Sequence, residues 1–170
     1  MASPPALTMG HIALHYGAAE EGPAAARLLS LLGLQETQIL PLPNGNFYRF
    51  VVGPGHYARG DGIVYLSALP EPQARLIAAI HTALRLGSEV EDDAVAGYRA
   101  MMAHDYEASF HFGFLVPSLE DLEALVTDLR ARERGDPDFK GRLRIGMNRP
   151  RRGDPAIDAN RKRLWVMRLS

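Results

Sequence analysis

The sequence predicts an α+β fold made of two strand–helix–three-strand units with a helical segment between them. Three observations predict it. Two short alternating strands, opened by His11 and His111, stand a hundred positions apart, and a helix-forming stretch follows each. An Asn-Gly turn signal and further alternating runs complete the first unit. Residues 71–107 then switch to helical periodicity before the strand–helix pattern restarts.

The first strand covers residues 10–16. Side chains alternate along a strand, so His11, Ala13 and His15 share one face while Ile12, Leu14 and Tyr16 share the other. The second covers residues 110–116, with His111, Gly113 and Leu115 on one face and Phe110, Phe112, Phe114 and Val116 on the opposite one. Each strand thus has an apolar face suited to lie under its helix. The other face carries a His with small neighbours, which leave room above the strand as on the floor of a cavity.

Residues 17–34 read as a helix, with Glu20 and Glu21 near its start, Pro23 in the first turn and Gly33 as its stop. Strands follow at 36–42, 46–52 and 62–68. Pro43-Asn44-Gly45-Asn46 links the first two, because Asn-Gly accepts the positive φ of a tight turn. Residues 53–62, rich in Gly, read as a mobile loop. Helices are expected at 71–86, where Leu76, Ile77, Ile80 and Leu84 form an apolar stripe, and at 92–102. After the second His strand come a helix beginning at Ser118 and strands at 143–147 and 164–169. The domain reading is therefore 9–70, 71–107 and 108–170.

Composition bounds the function. Hydrophobic content of 46% with 23% charged residues suits a soluble globular protein. No apolar run reaches the roughly 18 residues of a membrane span, and Met1 to Thr8 lacks the basic and apolar regions of a secretory signal, so a cytoplasmic protein without a membrane partner is expected. Without Cys there is no disulfide or thiolate chemistry. The overall charge of −1 hides an asymmetry. Residues 1–129 hold 6 Lys/Arg against 15 Asp/Glu (−9), and residues 130–170 hold 13 against 5 (+8). Asp136, Asp138, Asp154 and Asp158 interrupt any phosphate track in the basic segment, so nucleic acid is not the expected partner.

The order and duplication of these motifs resemble the vicinal oxygen chelate superfamily, which includes glyoxalase I, extradiol dioxygenases and bleomycin-resistance proteins. The resemblance covers residues 9–68 and 108–169. It implies two βαβββ modules whose curled mixed sheets pair around a shared cavity, with the 71–107 helices as an insertion. It also implies a divalent metal (Fe, Mn, Ni or Zn) held by His11 and His111, and the chemistry of a metal-dependent lyase or extradiol-type dioxygenase. Family members commonly dimerise, which puts a homodimer among the expected arrangements. The family usually adds a Glu or Gln from a closing strand, but here Tyr65 and Arg168 stand at those places, leaving the ligand set incomplete. His15 lies about 13 Å along the strand from His11 and cannot easily reach the same ion; His56 or Glu36 would have to complete it.

A second reading needs no metal. Arg49 interrupts the apolar run Phe47-Tyr48-Arg49-Phe50-Val51, and Arg168 interrupts Trp165-Val166-Met167-Arg168-Leu169. Pointing inward with His11, His15 and His111, these cations would favour a small polar or anionic organic ligand, and Tyr65 would add a hydroxyl. Such a protein would bind or sequester a small molecule rather than transform it.

Overall fold

The alternation of the first strand sets the sheet around it. The computed structural model describes residues 8–105, 108, 113–114, 116–146 and 167–169. Among these the chain is α+β, with one open mixed four-stranded sheet, five helices and a short two-stranded ladder. It divides into two compact units between Ile80 and His81.

In the first unit β1 (His11–Tyr16) leads through a turn of 3-10 helix (Ala19–Glu21) into α1 (Gly22–Leu31). Strands β2 (Gln35–Leu40), β3 (Phe47–Val51) and β4 (Ile63–Ala68) follow, with α2 (His56–Arg59) between the last two. The spatial order is β1-β4-β3-β2. β1 and β4 run parallel over six residue pairs, from His11↔Ile63 to Tyr16↔Ala68, and the other neighbours are antiparallel. This is the strand–helix–three-strand unit expected from the sequence.

One face of the sheet forms the core. Tyr16, Tyr48, Phe50, Val64, Leu66 and Ala68 are buried on it, together with Ala26, Leu28 and Leu29 of α1. A fully buried side chain of the size of Phe50 contributes roughly 1.5–3 kcal/mol. Pro23 at the start of α1 gives up no helical hydrogen bond. The helix ends where Gly33 turns to φ +90, letting the Leu34 N–H reach the Leu29 carbonyl at 3.1 Å. Leu34 is thereby tucked into the core.

Two parts of this unit differ from the sequence reading. Residues 53–62, read as loop, contain the single helical turn of α2, bracketed by Gly55 (φ +84) and Gly60 (φ +74). In β2 the register slips between Glu36 and Gln38, so Thr37 bulges out of the ladder opposite β3.

α3 (Glu71–Ala83) spans the division between the units. It forms where the Leu76–Ile77–Ile80 stripe predicts a helix, yet Leu76 and Ile80 are exposed and no residue of α3 is buried. The period of a stripe predicts the helix, not what covers it.

The second unit holds α4 (Asp93–His104), α5 (Leu119–Gly135), β5 (Leu143–Ile145) and β6 (Met167–Leu169). Asp92 caps α4 by accepting from the Ala94 N–H at 2.9 Å, and Ser118 caps α5 by accepting from the Asp121 N–H at 3.1 Å. Leu122, Val126 and Leu129 recur at helical spacing and are buried, as are Phe139 and Leu143. β5 and β6 pair antiparallel, placing Arg144 opposite Arg168. The second His strand, at 110–116, falls largely outside the described residues, and so does the first half of the closing strand read at 164–169.

Candidate functional site: the open face of the first sheet

The sheet face turned away from α1 collects four of the residues singled out in the sequence. Register fixes the arrangement. Arg49 of β3 stands opposite Tyr65 of β4, which stands opposite Ala13 of β1. Two pairs along, His15 stands opposite Ser67; two pairs back, His11 stands opposite Ile63. His11, Ala13 and His15 are exposed, while Phe47, Arg49, Tyr65 and Ser67 are half-buried. The alternation read from the sequence therefore gives the correct face for each of them.

Three rings form a continuous strip across this face. The His11 and Tyr65 ring centroids lie 5.1 Å apart with planes tilted by 47°, and those of Phe47 and Tyr65 lie 5.3 Å apart with a 38° tilt. These are favourable spacings for ring pairs. Beyond the strip, His15 Nδ1 lies 3.2 Å from Ser67 Oγ. The hydroxyl donates there when the imidazole proton sits on Nε2.

Arg49 is held from two sides. Its Nε donates to Thr37 Oγ1 at 3.1 Å, and that hydroxyl donates back to the Arg49 carbonyl at 3.0 Å. The bulge in β2 makes this possible, because Thr37 is free of the ladder at the place where Arg49 passes. From the other side Arg49 Nη2 donates to the Tyr57 hydroxyl at 3.1 Å, with the guanidinium carbon 4.7 Å from the Tyr57 ring centre. Among the described residues no carboxylate pairs with Arg49. The result is a positioned cation with no acidic partner among the described residues, beside an aromatic strip.

Tyr57 is presented by α2, which a second cluster fixes in place. Asp61 accepts from Arg59 Nε at 3.1 Å and lies 2.7 Å from His56 Nδ1. A carboxylate only accepts, so the imidazole proton belongs on Nδ1. Arg59 Nη2 also comes within 2.8 Å of that nitrogen, but with the proton on Nδ1 both groups are donors, so Asp61, accepting from each residue, is what joins them. The hydrogen bond from Arg59, followed by that from His56, holds the Asp61 carboxyl below its ordinary range. Gly62 is required here. At φ +59, a Cβ on it would come within 2.6 Å of His56 Nδ1 and 2.7 Å of Val52 Cγ2.

The remaining expected residues are not brought to this face by what is described. His111 lies outside the described residues. Arg168 lies in β6 of the second unit, opposite Arg144, and only its backbone is described. Among the described residues no group of three or more His, Asp or Glu gathers as a metal set. His11 leans on Tyr65, and the strands of this face offer the imidazoles of His11 and His15 and no carboxylate among the described residues.

Thr37 and Tyr57 were not singled out from the sequence. Thr37 acts only because of the bulge, which leaves no mark in residue type. Tyr57 had a weak signal: an aromatic residue inside a segment punctuated by glycines at 53, 55, 60 and 62. No helix among the described residues is long and apolar enough to cross a membrane. Comparison of the chain with protein-family models, curated proteins and solved structures returns no match.

Proposed function

We propose that the protein is a small-molecule binding protein of the vicinal oxygen chelate type, taking a small organic anion on the open face of its first sheet. The observation that carries this reading is Arg49, braced by Thr37 and Tyr57 and paired with no carboxylate among the described residues. Holding a half-buried guanidinium in one geometry without an internal counter-ion suits an anion supplied from outside. The reading includes the fuller architecture expected from the sequence, two βαβββ modules curled around a shared cavity. Its support is the β1-β4-β3-β2 order of the first unit and the small and aromatic residues lining the open face.

Thermal unfolding in the presence of small carboxylates and phosphates tests it, since a ligand of the native state raises stability by mass action. Stabilisation by one of these anions, lost in Arg49→Gln, is the expected result. No stabilisation across the panel sinks the reading. Stoichiometric Fe, Mn, Ni or Zn retained through purification without chelators, and lost in His11→Ala, would favour the metal-dependent lyase or dioxygenase reading instead.

A further inference from the structure

We infer that the anion this face takes is a planar aromatic carboxylate, a single ring bearing one carboxyl group; the inference rests on the anion-binding reading above and names its ligand class.

Consider what the guanidinium has left to offer. Nε is committed to Thr37 and one Nη2 hydrogen to Tyr57. Nη1 and the second Nη2 hydrogen remain without a partner among the described residues. Together they form the end-on fork of the guanidinium, which matches the two oxygens of one carboxylate. The guanidinium carbon lies over the Tyr57 ring, 4.7 Å from its centre, so Tyr57 covers that side of Arg49 and the ligand is accepted at the fork. One carboxylate in the guanidinium plane satisfies that fork.

Next consider what lies beside the fork. Tyr65 stands directly across from Arg49 on the neighbouring strand, roughly 5 Å away between Cα atoms. An Arg at this register is long enough to lay its own stem and guanidinium across that ring. Instead Thr37 of β2 and Tyr57 of α2 hold the cationic head, and Tyr65 and Phe47 stay half-exposed next to it. With His11 they make a three-ring strip whose successive centroids are 5.3 and 5.1 Å apart. Aromatic rings gain over aliphatic groups of equal area when stacked in such offset or tilted arrangements. An aliphatic or inorganic anion would satisfy Arg49 and leave the strip wet. A neutral ring would cover the strip and leave the fork unmatched. Only a ligand with both parts answers both features.

The test uses three matched probes on the full chain, followed by calorimetric titration: benzoate, cyclohexanecarboxylate with the same charge and a puckered saturated ring, and benzamide with the same ring and no charge. Benzoate is expected to bind about 5-fold or more tighter than cyclohexanecarboxylate, the size of one ring–ring interaction. It is expected to bind at least about 10-fold tighter than benzamide, the size of one charge-assisted hydrogen bond. Arg49→Gln should abolish the preference over benzamide, and Tyr65→Leu should shrink the preference over cyclohexanecarboxylate, with circular dichroism confirming that each variant folds. The wild-type ranking decides the matter even if a variant does not fold. Equal binding of benzoate and cyclohexanecarboxylate overturns the aromatic inference and leaves anion binding standing. Equal binding of benzoate and benzamide overturns the role of the fork. If no carboxylate binds, this inference falls, and the proposed function falls with it only when phosphates fail to stabilise the protein as well.

Discussion

The Arg49 guanidinium meets Tyr57 twice, with its carbon 4.7 Å from the ring centre and Nη2 donating to the phenol oxygen at 3.1 Å. The two contacts can be separated by mutation. Tyr57→Phe keeps the ring and removes the hydroxyl; Tyr57→Leu removes both. Tyr57 is 56% exposed, so neither change should cost more than about 1 kcal/mol of folding stability. Anion affinity should fall stepwise, about 2-fold in the Phe variant and about 5-fold in the Leu variant, measured by titration with benzoate. Equal affinities in all three proteins would show that Tyr57 does not position the cation.

The Thr37 brace makes a sharper case, because valine has the same shape. Thr37→Val leaves the bulge filled and removes the hydroxyl that both serves Arg49 Nε and caps the Arg49 carbonyl. The expected stability loss is about 1 kcal/mol, the net worth of an ordinary hydrogen bond. Anion binding should weaken more than Tyr57→Phe weakens it, since Thr37 fixes the guanidinium plane through Nε. A Thr37→Val protein with unchanged binding would remove the bulge from the site.

Much of this face is legible in the sequence, for a definite reason. Alternation over His11 to Tyr16, Phe47 to Val51 and Ile63 to Ala68 has one solution once Tyr16, Tyr48, Phe50, Val64 and Leu66 must be covered by α1. The open face of His11, His15, Arg49 and Tyr65 follows from it. What alternation cannot supply is contacts made where the ladder is broken. Thr37 reaches Arg49 from a bulge, and Tyr57 reaches it from one helical turn held by Gly55, Gly60 and the Asp61 cluster. The α3 stripe illustrates the same limit from the other side. Leu76 and Ile80 have the spacing of a buried face and are exposed, because periodicity fixes which residues share a side and not what lies opposite.

Gly62 provides a test of the α2 cluster. An alanine there would hold a Cβ against the His56 ring and Val52 in a backbone conformation, φ +59, that L-residues seldom adopt. Gly62→Ala should lose about 1–3 kcal/mol by urea unfolding. It should also weaken anion binding, because displacing His56 shifts its chain neighbour Tyr57. Gly97→Ala is the control: it is helical, has open space around it, and should be neutral or stabilising.

The same cluster sets an acid limit. Arg59 and His56 hold the Asp61 carboxyl below its unfolded value, so the folded state favours the charged form. The stability this contributes is present above the ordinary carboxylate range and is lost as pH falls through the depressed value. Wild type should therefore lose stability relative to Asp61→Asn on going from pH 6 toward strong acid, a difference read from paired urea titrations at each pH. Parallel curves for the two proteins would show that Asp61 does not carry a folding-linked proton.

Tyr16 sets the corresponding limit at high pH. Its ring is 4% exposed and its hydroxyl donates to the Asn46 carbonyl. Burial raises its pKa above the ordinary tyrosine value, the neighbouring Tyr48 raises it further, and a backbone hydrogen bond at Ala68 opposes them. A phenol that ionises less readily when folded contributes stability below its unfolded pKa, and that stability is lost as pH rises through the folded value. Tyr16→Phe should cost about 1 kcal/mol at neutral pH through the lost Asn46 bond. Above pH 10 the gap between the two proteins should narrow, because the wild type then pays to keep Tyr16 protonated or to bury its anion while the variant does not. Following both by thermal unfolding from pH 8 to 11 separates this from the background of other titrating groups, which the two proteins share. A constant gap across that range would mean that Tyr16 ionises as readily in the folded chain as in the unfolded one.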